Sequence, residues 1–273
     1  EAYVAKMVEV FREVRRVLCS DGTCWTNMGD SYASEFTGRN DTDRETPGGR
    51  GGSFRGGARL KLDRSTGLKP KDLIGMPWRL AFALQADGWY LRSDIIWHKP
   101  NPMRESVTDR PTKSHEYVFL LAKSEHYYYN TDAISEPSVN TWSNKAFSQT
   151  GKNAAMAQTN RQLYRTRGIG THHDLREQTG RNCRSVWTIA AQRYQSAHFA
   201  AYPEKLVEPC IMAGCPEGGL VLDPFCGSGT TGVVALRCGC SFLGIELSAD
   251  YVHLAKRRIN QEMSLFTTEM SGE

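Results

Sequence analysis

The chain has 273 residues, 40% of them hydrophobic and 23% charged, with a net charge of +4. This composition is that of an ordinary globular protein, and the length allows one substantial core plus a smaller appendage. No apolar run approaches the ~20 residues of a membrane span, no signal peptide opens the chain, and the eight cysteines include no C-x-x-C pair, so reduced thiols in a cytoplasmic protein with no metal site are expected.

From the N-terminus, residues 3–18 read as an amphipathic helix, with Val4, Met7, Phe11, Val14 and Leu18 on one stripe. Ser20-Asp21-Gly22 turns the chain into a strand, TCWTNMGD. A basic, glycine-rich insert runs from about 37 to 69. Pro77 then stands in the first turn of a helix that reaches Ala86, with Gly88 as its stop. Two strands follow, YLRSDIIWHK and EYVFLLAKS, separated by a linker rich in Pro, Asn and Arg that suits a hairpin with a functional loop. Residues 135–182 have few large apolar side chains and no clean period, which suits a variable insert better than core. A strand or turn around SVWTI leads to Pro203 and a short helix with Leu206, Val207, Cys210 and Ile211 apolar. The charge is uneven: residues 37–71 carry +5 and residues 138–185 carry +6, leaving −7 for the remainder.

The stretch LDPFCGSGTTG, residues 222–232, carries the most chemistry. An apolar strand ends at Leu222, Gly227 and Gly229 allow a tight turn, and Thr230 and Thr231 are expected to cap the helix TGVVALRC, which Gly239 stops. Strand, glycine loop and helix N-terminus make a site for a nucleotide-like ligand. Gly227, Gly229 and Gly232 also satisfy G-x-G-x-x-G, which leaves a nicotinamide-dependent oxidoreductase open as an alternative. Asp223 argues against it, since an acid at the strand end repels a pyrophosphate but suits the sulfonium of S-adenosylmethionine. The next strand, SFLGIE, ends in Glu246, placed to bind ribose hydroxyls, and Ser248 caps a helix carrying Val252, Ala255 and Ile259 on one face. Only 41 residues follow Gly232, so the other strands of a wound sheet must come from upstream of the loop.

DPFCGSGTTG followed by GIEL resembles motifs I and II of the S-adenosylmethionine-dependent DNA amino-methyltransferases, in the permuted, beta-type arrangement. GTCWTNMGDSY, SDIIWHKPNPMRESVTDRPTKSHEYVFLLAKS and HFAAYPEKLVEPCI are similar to segments found in that order in such enzymes. The resemblance implies an α/β fold: a doubly wound, Rossmann-like sheet, mostly parallel with one antiparallel strand, in permuted order and with a basic recognition insert. It divides the chain into a catalytic half at 1–134, a target-recognition insert at 135–185 and a cofactor-binding half at 186–273. The implied reaction is methyl transfer to the exocyclic amino group of adenine or cytosine in double-stranded DNA, with the target base flipped out of the helix.

For site residues, the resemblance implies that Asp223, Phe225, Gly227, Gly229, Thr230 and Glu246 hold the cofactor, with His198 and Pro203 closing its pocket from the other side. Asn27, Gly29 and Asp30 border the base pocket. Trp97, Lys99, Arg110, His115 and Glu116 form the polar core of the second similar segment. Lys152, Arg161, Arg165 and Arg167 are expected to contact DNA. The family's acceptor motif, Asp, Asn or Ser followed by Pro-Pro and an aromatic, is missing, because the sequence contains no Pro-Pro. That motif is expected upstream of Glu1, and the 273 residues by themselves are expected to transfer little methyl. A binding remnant that never transfers methyl stays open as a second alternative. A cognate restriction endonuclease and a bacterial or phage cytoplasm are the further implied context.

Overall fold

The computed structural model describes residues 1–33, 67–137, 180–192 and 202–270, with side chains through 264. The chain divides into two compact units, Glu1–Tyr129 with Ser185–Glu273, and Asn130–Arg184. In the first unit, helix α1 (Ala2–Val17) forms over the apolar stripe read from the sequence. Its Phe11 is buried against Leu80 and Leu84 of helix α2 (Met76–Ala86) and meets Trp89 edge-on at 6.5 Å. Val4, Met7, Val14 and Leu18 pack against the same cluster. Helix α2 carries Pro77 in its first turn and gives way to Gly88, whose φ of +98° turns the chain back toward the sheet.

Strands β1 (Thr23–Met28), β2 (Tyr90–His98) and β3 (His115–Ala122) lie in the order β1-β3-β2, with β6 (Val186–Thr188) beyond β2. β3 is antiparallel to both neighbours, with Asn27 opposite Val118 and Trp97 opposite Glu116, while β6 runs parallel to β2. β3 is therefore the one reversed strand of a sheet otherwise running in a single direction. This matches the expected sheet, and the hairpin expected from residues 90–124 is β2–β3. The register also brings the carboxyl ends of β1, β2 and β6 to one edge, beside the start of β3.

The C-terminal part is a βαβ unit. Strand β7 (Leu220–Asp223), helix α4 (Thr230–Arg237) and strand β8 (Ser241–Gly244) put the two strands parallel. Helices α3 (Glu204–Gly214) and α5 (Ala249–Met270) flank α4 in sequence. Ile211, Val234, Ala235 and Cys240 form its buried core, with Val221 and Phe242 against it. Among the described residues, β7 and β8 hydrogen-bond to each other and not to β1. β1 instead meets this unit through α3: Thr23 Oγ1 donates to the Gly214 carbonyl at 3.3 Å. A Cβ on Gly214 would stand 2.6 Å from Trp25 Nε1, so the close approach requires glycine.

In the second unit, strand β4 (Glu136–Pro137) pairs antiparallel with β5 (Gly180–Arg181). The Glu136 carboxylate accepts from Arg181 at 3.1 Å and from Arg184 at 2.9 Å. Residues 138–179, with the proposed DNA contacts Lys152, Arg161, Arg165 and Arg167, lie outside the described residues, as does most of the basic insert at 37–69. No helix among the described residues is long and apolar enough to cross a membrane.

Leu121 is fully enclosed where β3 meets the α1–α2 cluster. We expect Leu121→Ala to lower unfolding free energy by about 2–5 kcal/mol in urea titration, since a cavity at such a site cannot relax fully. A loss below about 1 kcal/mol would show that this cluster is not the core.

Candidate cofactor site

β7 ends at Asp223, and the chain crosses to α4 through a loop sewn to β8 by backbone bonds. Cys226 donates to the Ile245 carbonyl at 3.0 Å and Ile245 to that of Asp223 at 2.9 Å. Gly227 and Gly229 take φ of +51° and +82°, the left-handed region that glycine enters without a Cβ clash. Their surroundings differ. A Cβ on Gly229 would lie 2.9 Å from Ala255 Cβ and 3.0 Å from its Cα, so the loop rests directly on α5. At Gly227 the nearest neighbour is the Phe225 carbonyl at 3.9 Å, and the space above the loop is open.

Gly229 itself is the N-cap of α4, and no side chain caps the helix. This corrects the expectation that Thr230 and Thr231 do so: the left-handed glycine starts the helix one residue early, so both threonines fall inside its first turn. Thr231 is redirected to Asp223, whose Oδ2 accepts from Thr231 Oγ1 at 2.6 Å and from the Tyr202 hydroxyl at 3.0 Å. Asp223 Oδ1 accepts from the Phe225 N–H at 3.0 Å. Burial, and then the Asp223 charge, pushes the Tyr202 hydroxyl above its ordinary range, so it stays a donor.

Glu246 lies two residues beyond β8 and not at its last position. Its Oε2 accepts from the Gly227 N–H at 2.8 Å, and its Oε1 from the Ser248 N–H at 2.8 Å. These backbone bonds, Ser248's foremost, hold its carboxyl below the usual 4.5. Ser248 contributes its carbonyl to the start of α5, accepting from Val252 at 3.0 Å. With three of its four lone-pair sites taken by the backbone of Ser248, Gly227 and Leu247, the Glu246 carboxylate keeps accepting capacity for a ligand hydroxyl. Around the two acids, Phe225, Ile245 and Leu247 are exposed apolar side chains, Leu247 completely so. The arrangement offers hydroxyl acceptors, negative charge and apolar contact over an open glycine loop.

Pro203 is buried at the N-cap position of α3, next to Tyr202, and His198 lies outside the described residues. The residues expected at the base pocket lie together at the end of β1. Asn27 Nδ2 donates to the Tyr117 carbonyl at 2.9 Å and to Glu116 Oε2 at 3.3 Å. Gly29 stands beside Glu116. Asp30 is turned inward: its Oδ1 accepts from Ser31 at 2.9 Å and from Met76, the first residue of α2, at 3.0 Å. Glu116 is ion-paired with Lys99, which lies 4.2 Å over the Trp97 ring. Arg110 pairs with Glu105 at 2.7 Å and covers the Tyr32 ring, while His115 meets Tyr117 edge-on. Tyr202 falls within the similar segment HFAAYPEKLVEPCI without a role of its own assigned, and sequence reasoning missed Arg258; their loop partners lie 21–30 residues away. No group of three or more metal-ligating side chains occurs among the described residues.

The different surroundings of the two glycines separate the costs of replacing them. Gly227→Ala is expected to cost about 1–2 kcal/mol, the left-handed penalty alone. Gly229→Ala adds a collision with α5 and should cost about 1–3 kcal/mol more, read from urea midpoints. Equal costs would contradict the seating of Gly229 on Ala255. For Glu246, a folded pKa below 4.5 means stabilisation that is present above that pH and lost as pH falls through the folded value. Glu246→Gln should therefore lower stability at neutral pH and flatten its decline below pH 4.5; an unchanged acid slope would refute the two backbone bonds.

A family model described as DNA methylase matches residues 1–257. The chain is 45% identical over 257 residues to the Type II methyltransferase M.SmaI of Serratia marcescens, covering 94% of this chain and 74% of that protein. It is 42% identical over 261 residues to M.Cfr9I of Citrobacter freundii, covering 95% and 72%. Among solved structures, the cytosine-N4-specific PvuII DNA methyltransferase shares the fold at TM-score 0.59 and 16% identity, over 99% of this chain and 78% of that one. A Thermus thermophilus protein solved with S-adenosyl-L-methionine does so at TM-score 0.51 and 21% identity, over 96% and 78%. These matches set the oxidoreductase alternative aside: with its acid-flanked glycine loop and mixed sheet, the chain belongs to the N6/N4 DNA methylase family.

Proposed function

We propose that this chain binds S-adenosylmethionine on the glycine loop and presents it for methylation of an exocyclic amino group of adenine or cytosine in duplex DNA. The observation that carries the reading is the pair of carboxylates, Asp223 and Glu246, both fixed by hydrogen bonds from the loop and its neighbours. The bound cofactor supplies an electrophilic methyl group on a sulfonium. The remaining accepting capacity of Glu246 suits ribose hydroxyls, the Asp223 charge suits the cationic methionine end, and Phe225 offers an apolar surface. The open space at Gly227 leaves room for a ligand where a side chain would intrude. The Thermus protein solved with this cofactor supports the same assignment.

The segment 135–185, basic over 138–185, is the proposed recognition insert, with Lys152, Arg161, Arg165 and Arg167 contacting DNA. Asn27, Gly29 and the Lys99–Glu116 pair are the proposed border of the flipped-base pocket. The Type II names of the relatives support a partner restriction endonuclease acting on the same DNA sequence, and both partners would work in the cytoplasm.

The four-residue acceptor motif is not within these 273 residues, so cofactor binding is a more direct test than turnover. Calorimetric titration should show S-adenosylmethionine binding at one site. Glu246→Ala should weaken it about tenfold or more, and NAD should not compete. Tight NAD binding, or a Glu246→Ala variant with undiminished affinity, would overturn the assignment. On the DNA side, replacing one phosphate-contacting Arg should reduce the salt slope of log affinity by about one.

A further inference from the structure

Helix α5 reaches the glycine loop through one cationic side chain. Arg258 Nη1 donates to the Ser228 carbonyl at 2.8 Å, to Ser228 Oγ at 3.0 Å and to Thr230 Oγ1 at 3.1 Å. Its Nη2 faces Glu204 Oε1 at 3.4 Å, and only 11% of the side chain is exposed. Ala255 and Ile259 lie one helical turn before and one residue after it, and both touch the loop region: Ala255 under Gly229, Ile259 under Gly232. One face of α5 is thus the floor on which the loop and the first turn of α4 rest.

The chemistry of that contact fixes a peptide plane. The Ser228–Gly229 peptide has its carbonyl held by Arg258 and its N–H donated to the Cys226 carbonyl at 2.9 Å. With both polar ends committed, rotating this plane would break hydrogen bonds at both ends, just where the chain enters α4. Arg258 lies on the side of the loop facing α5. Its charge is balanced by Glu204, which also pairs with Arg237 at 2.6 Å, and Arg237 pairs in turn with Glu262 at 2.5 Å. A lysine would keep the charge beside Glu204 but would lack the guanidinium's array of donors.

We propose that Arg258 is a positioning residue for the methyl-donor site, setting cofactor affinity by locking the Ser228–Gly229 peptide and the Thr230 hydroxyl. This rests on the assignment of the loop to S-adenosylmethionine. Arg237 provides the control, since it shares Glu204 in the same ion-pair chain but spends its bonds on Glu204 and Glu262, away from the loop.

The test is calorimetric titration of the 273-residue chain with S-adenosylmethionine, together with amide hydrogen exchange at residues 227–230. Arg258→Met and Arg258→Lys should each weaken binding about tenfold and speed exchange in the loop. Arg237→Met should leave both unchanged, and millimolar methylguanidinium should restore part of the affinity of Arg258→Ala. Should the Met variant fail to fold, the Lys variant carries the test. Wild-type affinity in Arg258→Lys, or equal losses in Arg258→Met and Arg237→Met, would overturn the role of Arg258 alone. A folded wild type that binds no S-adenosylmethionine would overturn the cofactor assignment and this proposal with it.

Discussion

The contact on which the candidate site depends is the bare approach of the Gly229 backbone to Ala255. A loop that lies within van der Waals distance of a helix backbone has no room for a side chain at the point of contact, and only a left-handed turn brings it there. Once that contact is made, α4 begins at a fixed place, Gly227 falls within reach of Glu246, and Thr231 within reach of Asp223. The acids are held by the loop and hold it in return. Their oxygens are oriented before any ligand arrives, so less ordering remains to be done on binding.

A second close approach links this unit to the longer sheet. Gly214, the last residue of α3, lies against Thr23 and Trp25 of β1, and Tyr202, just before α3, binds Asp223. One helix therefore touches β1 at its end and the glycine loop at its start. The residues proposed to meet the base are organised by β1, β2 and β3, whose register places Asn27, Lys99 and Glu116 at one edge. Both groups of residues lie at or beside the carboxyl ends of strands, the first set by strand register and the second by the glycine loop as well.

Much of this was legible in the sequence because the signals are local. The stripe of α1, the Pro77 start and Gly88 stop of α2, the β2–β3 hairpin and the strand–glycine–helix run each depend on residues within one element. The threonine caps mislead because composition does not reveal which residue takes the left-handed angle; with Gly229 in that place, the hydroxyls are released to other partners. Asp30 is read from the sequence as bordering the base pocket, and its carboxylate also serves the first N–H of α2, 46 residues away, a contact with no local signal. Arg258 carries no local pattern, and the segment around Tyr202 does not reveal the partner of its hydroxyl. Their roles come from contacts between elements far apart in sequence, and such contacts leave no periodic trace.

The short ladder of β4 and β5, clasped by Glu136, has a consequence for how such proteins change. It ties Glu136 and Pro137 to Gly180, Arg181 and Arg184, residues 43 or more positions apart in sequence, through bonds that all lie outside 138–179. Closing a loop of twice the length costs only about 0.6 kcal/mol more in chain entropy. A change in the number of residues between the two strands therefore carries a small entropic cost for pairing them. The clasp itself shares no residue with the glycine loop, so the two can vary independently.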